Sequence, residues 1–255
     1  MLKEGVAAAV AVYRQIVGSS FSVEETEKAV KTDDFYGKVD RVDSGDGFVR
    51  VIDYKTGKIN DEAAAYYTGR KLQRQLYMSA VMGERTPAGV FYFPASLSFK
   101  EKDKGEANFR MSGYLNGEKE AIFAGDNGLK EGETSAFFKA RLGDNSRLEN
   151  VMAEDVFRDF IDYAVLEARQ GVKELKSGFI APSPYDGACD YCKYGGMCGF
   201  HRDQAVIRKE ESLKPIEIAG IARRFKDGKI AQNGMEDVPV SALNENTDKG
   251  GTENA

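Results

Sequence analysis

The 255 residues carry 36 Lys and Arg against 41 Asp and Glu, a formal charge of −5. With 42% hydrophobic and 11% aromatic residues a core can be buried, which excludes disorder throughout, and the acidic balance excludes a strongly basic nucleic-acid coat protein. No run of about 18 apolar residues occurs, so no helix is expected to span a bilayer.

Along the chain, residues 4–17 have helical spacing, with Val6, Val10, Tyr13 and Val17 as the apolar positions of an amphipathic helix. Residues 21–26 read as a short extended piece. Residues 35–43 and 48–54 read as two strands joined by a four-residue turn, Ser44-Gly45-Asp46-Gly47. Asn60 and Asp61 open a helix predicted to run to about Met82 and to stop at Gly83. An aromatic strand over 89–99 has Pro94 as an edge or bulge marker, and 107–123, polar and broken by glycines, reads as a hairpin. The longest helix spans 153–176, with Phe157, Phe160, Ile161, Ala164, Ala168, Val172 and Leu175 in one stripe and Gly178 ending it. Pro182, Pro184 and Gly187 lead into the cysteines, and beyond about Val240 the sequence is polar and without pattern. Strands, helix, strands, helix predict an α/β class: a mixed β-sheet flanked by helices.

The chain holds one histidine, His201, so a serine or cysteine hydrolase would have to use that residue, and a His-rich metal centre is excluded. There is no G-x-x-x-x-G-K-[ST] loop and no G-x-G-x-x-G fingerprint. Three cysteines within ten residues do not make a secreted disulfide framework, and a reducing, cytoplasmic setting is expected.

The most informative stretch is Gly37-Lys-Val-Asp-Arg-Val-Asp43 followed by Val49-Arg-Val-Ile-Asp-Tyr-Lys-Thr-Gly57. With a four-residue loop, Asp40 falls opposite Val51 and Lys38 opposite Asp53. Side chains alternate along a strand, so Asp40, Val51, Asp53 and Lys55 share a face, with Asp40 and Asp53 as diagonal neighbours about 7–8 Å apart. Two carboxylates there can converge on one divalent cation such as Mg²⁺, with Lys55 beside it. That chemistry suits phosphodiester hydrolysis.

These residues, with Leu72-Gln-Arg-Gln-Leu-Tyr77 in the next helix, resemble the RecB-type branch of the PD-(D/E)xK nucleases, the three motifs standing in family order. The resemblance implies a restriction-endonuclease-like core in which Asp40 and Asp53 hold Mg²⁺ or Mn²⁺, Tyr54 offers its carbonyl and Lys55 is catalytic. Gln73 and Tyr77 correspond to the helix motif, and a spacing of four puts both on one helix face, within reach of the DNA backbone or bracing the site. Glu24 is a possible further metal ligand, with Glu25 an equal competitor. Arg70, Lys71 and Arg74 lie on the same stretch as Gln73 and are candidate phosphate contacts, a solvated helix face being the equal alternative.

Cys189, Cys192 and Cys198 form C-x₂-C-x₅-C, which with His201 would make a Cys₃His zinc site. A [4Fe–4S] cluster instead needs four thiolates. The trio is similar to that of AddB, the B subunit of AddAB helicase–nucleases, where a fourth cysteine precedes the nuclease core, so the resemblance implies that Cys189, Cys192 and Cys198 hold a [4Fe–4S] cluster in the full-length protein, incomplete or absent here. None precedes Cys189 here. The resemblance therefore implies a nuclease domain over 1–205 lacking its N-terminal part, a Cys-rich C-terminal loop, and an extension over 206–255. It implies DNA cleavage in double-strand-break repair, with an AddA-like helicase subunit as partner. The alternatives are a CRISPR-associated iron–sulfur exonuclease and a catalytically silent, metal-stapled DNA-positioning domain.

Overall fold

The computed structural model describes residues 2–59, 63–95, 109–179, 181–190, 192–200, 207–208 and 213–228. Its centre is a five-stranded sheet in which β1 (Ser22–Lys31), β2 (Tyr36–Gly45), β3 (Phe48–Lys55), β4 (Thr86–Pro94) and β5 (Ser112–Leu115) lie side by side in chain order. Neighbours run antiparallel except β3 and β4, which are parallel. A parallel pair needs a crossover, and α2 (Ala63–Tyr67) with α3 (Gln73–Val81) supplies it. This is the expected mixed sheet flanked by helices.

β3 is an inner strand. Val49, Val51 and Ile52 are fully buried, Val51 on the face covered by α3 and α5 (Glu154–Lys176), Ile52 on the opposite face. The first face packs Val42, Val51 and Val90 against Met78, Val81, Phe157 and Ile161. The second packs Ile52, Phe91 and Phe93 against Phe109, Phe138 and the inner side of α1 (Leu2–Val17). Each face is therefore closed by helices or loops, and the β-branched run of β3 has apolar partners on both sides.

Several expectations change. In α1 the row Val6, Val10, Tyr13 and Val17 points outward, each at least 41% exposed, while Ala8, Ala11 and Val12 meet the core. The small residues let the helix sit close to the sheet. The extended piece at 21–26 is part of the ten-residue β1. The helix expected to reach Met82 is two helices, because the chain breaks at Gly69, whose φ of +75° is outside the helical region, and the amides of Arg70 and Lys71 both return to the Ala65 carbonyl. Residues 60–62, where that helix was to open, lie outside the described residues.

Pro94 closes β4, which is an interior strand; the stretch 96–99 lies outside the described residues. In place of the hairpin at 107–123 come β5, paired with β4, and then α4 (Lys119–Gly125). A small hairpin, β6 (Arg141–Leu142) with β7 (Leu148–Glu149), follows. The stripe of α5 is buried from Phe157 to Leu166, but Leu175 is 75% exposed. After α5, a single helical turn, α6 (Gly195–Cys198), lies within the cysteine stretch.

The stretch assigned to an extension contains α7 (Pro215–Lys226). Ile218, Ala219, Ile221 and Ala222 are buried against Phe160, Tyr163 and Ala164 of α5. Ion pairs frame the contact: Arg223 to Asp155 and Asp159 at 2.7 and 2.5 Å, and Lys226 to Asp159 at 2.8 Å. A boundary at 205 cuts through this packing. The tail beyond 228 lies outside the described residues. Among the described residues no helix is long and apolar enough to cross a membrane.

Candidate active site

The hairpin turn is made by two residues, Asp46 and Gly47, with φ of 52° and 82°. Positive φ at both positions is the twist-matched turn that Asp-Gly favours. Gly45 then pairs with Phe48, and the ladder runs through Val42↔Val51 to Arg41↔Ile52. The expected register is therefore displaced by two residues. The pairs end there, so Asp40 and Asp53 lie just beyond the ladder, where the same register would set them against each other instead of diagonally. Because the displacement is even, Val42 and Val51 stay on one face. Beyond Ile52 the strands are linked through a side chain: the amide of Tyr54 donates to Oδ2 of Asp40 at 2.8 Å.

Asp53 is buried, and Lys55 Nζ stands 2.6 Å from its Oδ2. That contact is an ion pair, and among the described residues Oδ2 has no hydrogen-bond partner beyond it. Burial pushes the Asp53 carboxyl above the usual carboxylate range; Lys55 and Arg74 pull it down and Asp40 pushes it up. Two neighbouring carboxylates on adjacent strands, one of them buried and raised, make a place where a divalent cation would relieve both burial and repulsion. The donor set fits a hard cation with hard oxygen ligands.

The family model for the PD-(D/E)XK nuclease superfamily matches residues 2–199 of this chain. The chain belongs to the PD-(D/E)XK nuclease superfamily. Among curated proteins it is similar to the B subunit of the ATP-dependent helicase/deoxyribonuclease of Natranaerobius thermophilus, 31% identical over 64% of this chain and 16% of that protein. The same-named proteins of Lachnoclostridium phytofermentans and Bacillus licheniformis are 27% and 28% identical over 69% and 76% of this chain, and 19% of each protein. The chain thus spans less than a fifth of the length of these relatives.

Within this nuclease fold the remaining expected residues fall in three places. Gln73 and Tyr77 form one unit: Gln73 Nε2 donates to the Tyr77 hydroxyl at 3.1 Å, and that oxygen also accepts the amide of Lys38 at 3.2 Å. The Tyr77 ring lies over Gly37, where an added Cβ would be 2.5 Å from the hydroxyl oxygen. The pair therefore grips β2 just before Asp40. Gln73 is exposed and Tyr77 is buried.

Glu24 is not brought to the carboxylates. It is ion-paired to Arg85 beside Ser44, at the opposite end of β3, and that arginine holds its carboxyl below the usual range. The strand separates it from Asp53 by roughly 13 Å at about 3.3 Å per residue. Glu25 pairs with Lys28.

Arg70 is exposed and Lys71 half-exposed, whereas Arg74 is 1% exposed and cannot meet a phosphate there. Its guanidinium carbon sits 3.7 Å from the centre of the Tyr92 ring, and its Nη1 donates to the Val90 carbonyl at 3.3 Å. Tyr92, unremarked in the sequence, is the β4 partner of Asp53.

Cys189 is half-buried and Cys192 and Cys198 are exposed. Among the described residues no three His, Cys, Asp or Glu side chains converge as a metal group. The sequence holds three cysteines, one short of four thiolates, so its own donors do not complete an iron–sulfur cluster. His201 lies outside the described residues.

A second buried ionic group was not foreseen either. On the sheet face opposite the site, Asp43 accepts from Arg41 at 2.6 and 2.7 Å and from Arg50 at 2.8 Å. Arg50 also lies over the Phe21 ring. The alternation of Arg41, Asp43 and Arg50 with valines was the available signal, but it reads equally as an exposed polar face.

Proposed function

We propose that this chain is a metal-dependent deoxyribonuclease domain that hydrolyses phosphodiester bonds in DNA. The observation that carries the reading is the buried Asp53 with Lys55 at 2.6 Å, and Asp40 on the neighbouring strand tied by its carboxylate to the amide of Tyr54, the residue after Asp53. Asp40, Asp53 and the Tyr54 carbonyl would hold Mg²⁺ or Mn²⁺, which when bound neutralises phosphate charge and acidifies a water. Lys55, on the same face, orients the attacking water and offsets the charge that develops on the phosphoryl oxygens. The Gln73–Tyr77 unit fixes β2 and hence Asp40, with the exposed Gln73 amide at the substrate side. Arg70 and Lys71 contact phosphates without reading sequence.

The similarity to the B chains of helicase/deoxyribonucleases supports a place in a helicase–nuclease, with an AddA-like partner feeding DNA in the repair of double-strand breaks. The absence of a phosphate-binding loop from this sequence agrees with ATP being used elsewhere. The cysteine trio is read as a metal staple completed by a donor other than its three thiols.

The test is cleavage of single-stranded DNA in Mg²⁺ or Mn²⁺. Asp53→Ala and Lys55→Ala are expected to reduce it by several orders of magnitude with the far-ultraviolet dichroism unchanged. Near-wild-type cleavage by Asp53→Ala would overturn the assignment.

A further inference from the structure

On the face of the sheet that carries the carboxylates, β4 presents a residue that the family motifs do not include. Tyr92 is in register with Asp53 on the parallel neighbour strand, so its ring stands on the same side of the sheet as Asp53 and Lys55. The Lys55 ammonium nitrogen is 5.2 Å from the centre of that ring, inside cation–π range. The same ring carries the Arg74 guanidinium at 3.7 Å from its centre. Arg74 is itself fixed by its bond to the Val90 carbonyl and by burial, and Tyr92 is only 6% exposed. One buried aromatic ring thus serves two cations, one structural and one at the mouth of the site.

Lys55 has two anchors here, the Asp53 carboxylate and the Tyr92 ring. The first is shared. A cation held by Asp40 and Asp53 would compete with the ammonium for Oδ2 and repel it, so the ion pair would loosen in a loaded site. The second anchor is unaffected by that competition. We propose that Tyr92 is a positioning residue for Lys55: its π face keeps the ammonium beside the carboxylates when Asp53 is occupied, and Arg74, packed on the ring from α3, fixes the ring's tilt. The buried arginine in the helix motif thereby acts on the lysine through an aromatic relay and makes no contact with DNA. This inference rests on the nuclease reading of Lys55.

Two measurements on the whole chain test it. In the NMR spectrum of the wild-type protein, the Lys55 ε-methylene resonances, assigned by their loss in Lys55→Arg, are expected to be displaced upfield by the ring current of Tyr92. Random-coil shifts for them would overturn the proposal without any Tyr92 variant. In single-turnover cleavage of single-stranded DNA, Tyr92→Leu is expected to lower the rate about tenfold. Tyr92→Phe should keep both the rate and the upfield shift, and Mn²⁺ affinity by titration should be unchanged in both. Arg74→Met should give a smaller loss of rate with a reduced shift. An equal loss in Tyr92→Leu and Tyr92→Phe, or a fall in Mn²⁺ affinity equal to the loss of rate, would overturn it. The outcomes are separable from failure of the underlying reading: if Lys55→Ala cleaves normally, the role of Lys55 is wrong. If Lys55→Ala is inactive while Tyr92→Leu is fully active, only the relay is wrong.

Discussion

Oδ2 of Asp40 accepts the backbone amide of Tyr54 at 2.8 Å, so a proposed metal ligand is also the tie that holds β2 to β3 where their ladder ends. The two duties separate in substitution. Asp40→Asn can still present a carbonyl oxygen to Tyr54 but loses the charge, so cleavage should be abolished with the melting temperature within a few degrees of wild type. Asp40→Ala loses both, and should also be less stable by about 1 kcal/mol, the worth of a hydrogen bond to a buried amide. Paired activity and thermal melts check this; equal melting of the two variants would remove the structural duty.

Asp53 gives a sign for pH. Its carboxyl is raised in the fold, chiefly by burial, so the folded state holds the proton more tightly than the unfolded chain. Its contribution to stability is full below the ordinary value of 3.8 and is lost as pH rises through the raised one. Without metal, Asp53→Asn should therefore melt higher than wild type at neutral pH, and the difference should shrink on acidification. Adding Mn²⁺ should stabilise the wild type and leave Asp53→Asn unmoved. Calorimetry over pH with and without metal reads both, and an Asp53→Asn protein melting lower at pH 7 contradicts the burial argument.

Gly37 and Tyr77 should be coupled. A methyl at Gly37 meets the Tyr77 ring and hydroxyl, which must move and release the Lys38 amide. Gly37→Ala alone should slow cleavage by at least tenfold. In the background of Tyr77→Ala the same change should cost little, because the obstacle is gone. A double-mutant cycle checks it, with additive effects counting against the contact.

Asp43 bridges two buried guanidinium groups, and among the described residues Arg50 Nη1 and Nη2 have no hydrogen-bond partner of their own. Removing the carboxylate leaves both charges uncompensated. Asp43→Ala should lose about 3–5 kcal/mol by urea unfolding. A loss below about 1 kcal/mol would mean that water reaches these arginines.

The cysteines divide two metal chemistries. Three thiols cannot complete a four-thiolate cluster, so protein of this sequence purified without air should hold iron below one cluster per chain. One zinc per chain, lost on His201→Ala, would instead establish a Cys₃His site. Elemental analysis distinguishes them.

In the carboxylate hairpin the turn is two residues shorter than the four-residue loop expected, and because that difference is even Val42 and Val51 still share a face. The inner character of β3 was legible in its apolar run. The burial of Arg74 was not, since nothing local to 70–77 says that Tyr92, on another strand, will receive a guanidinium. In α1 the larger side chains drew the prediction to the wrong side, because close approach to the sheet favours alanine over valine. Glu24 was placed by proximity in sequence to the hairpin, whereas β1 runs antiparallel to β2 and carries Glu24 to the far end. For α7 the signal is present in the sequence, with Pro215 in the first turn and apolar residues at 218, 219, 221 and 222, although the stretch reads as an extension.

The packing of α7 on α5 has a consequence for synthesis on the ribosome. The carboxylate hairpin is a local structure and emerges early, but Phe157 and Ile161, which close the sheet over Val42 and Val51, belong to a helix whose outer side is finished only by Ile218 and Ile221. The nascent chain therefore carries a sheet closed by an α5 whose outer side stays incomplete until the last described helix has left the exit tunnel. Release of a chain cut short before α7 uncovers the side of α5 that Ile218, Ala219, Ile221 and Ala222 pack on, the kind of exposed surface that chaperones and proteases engage.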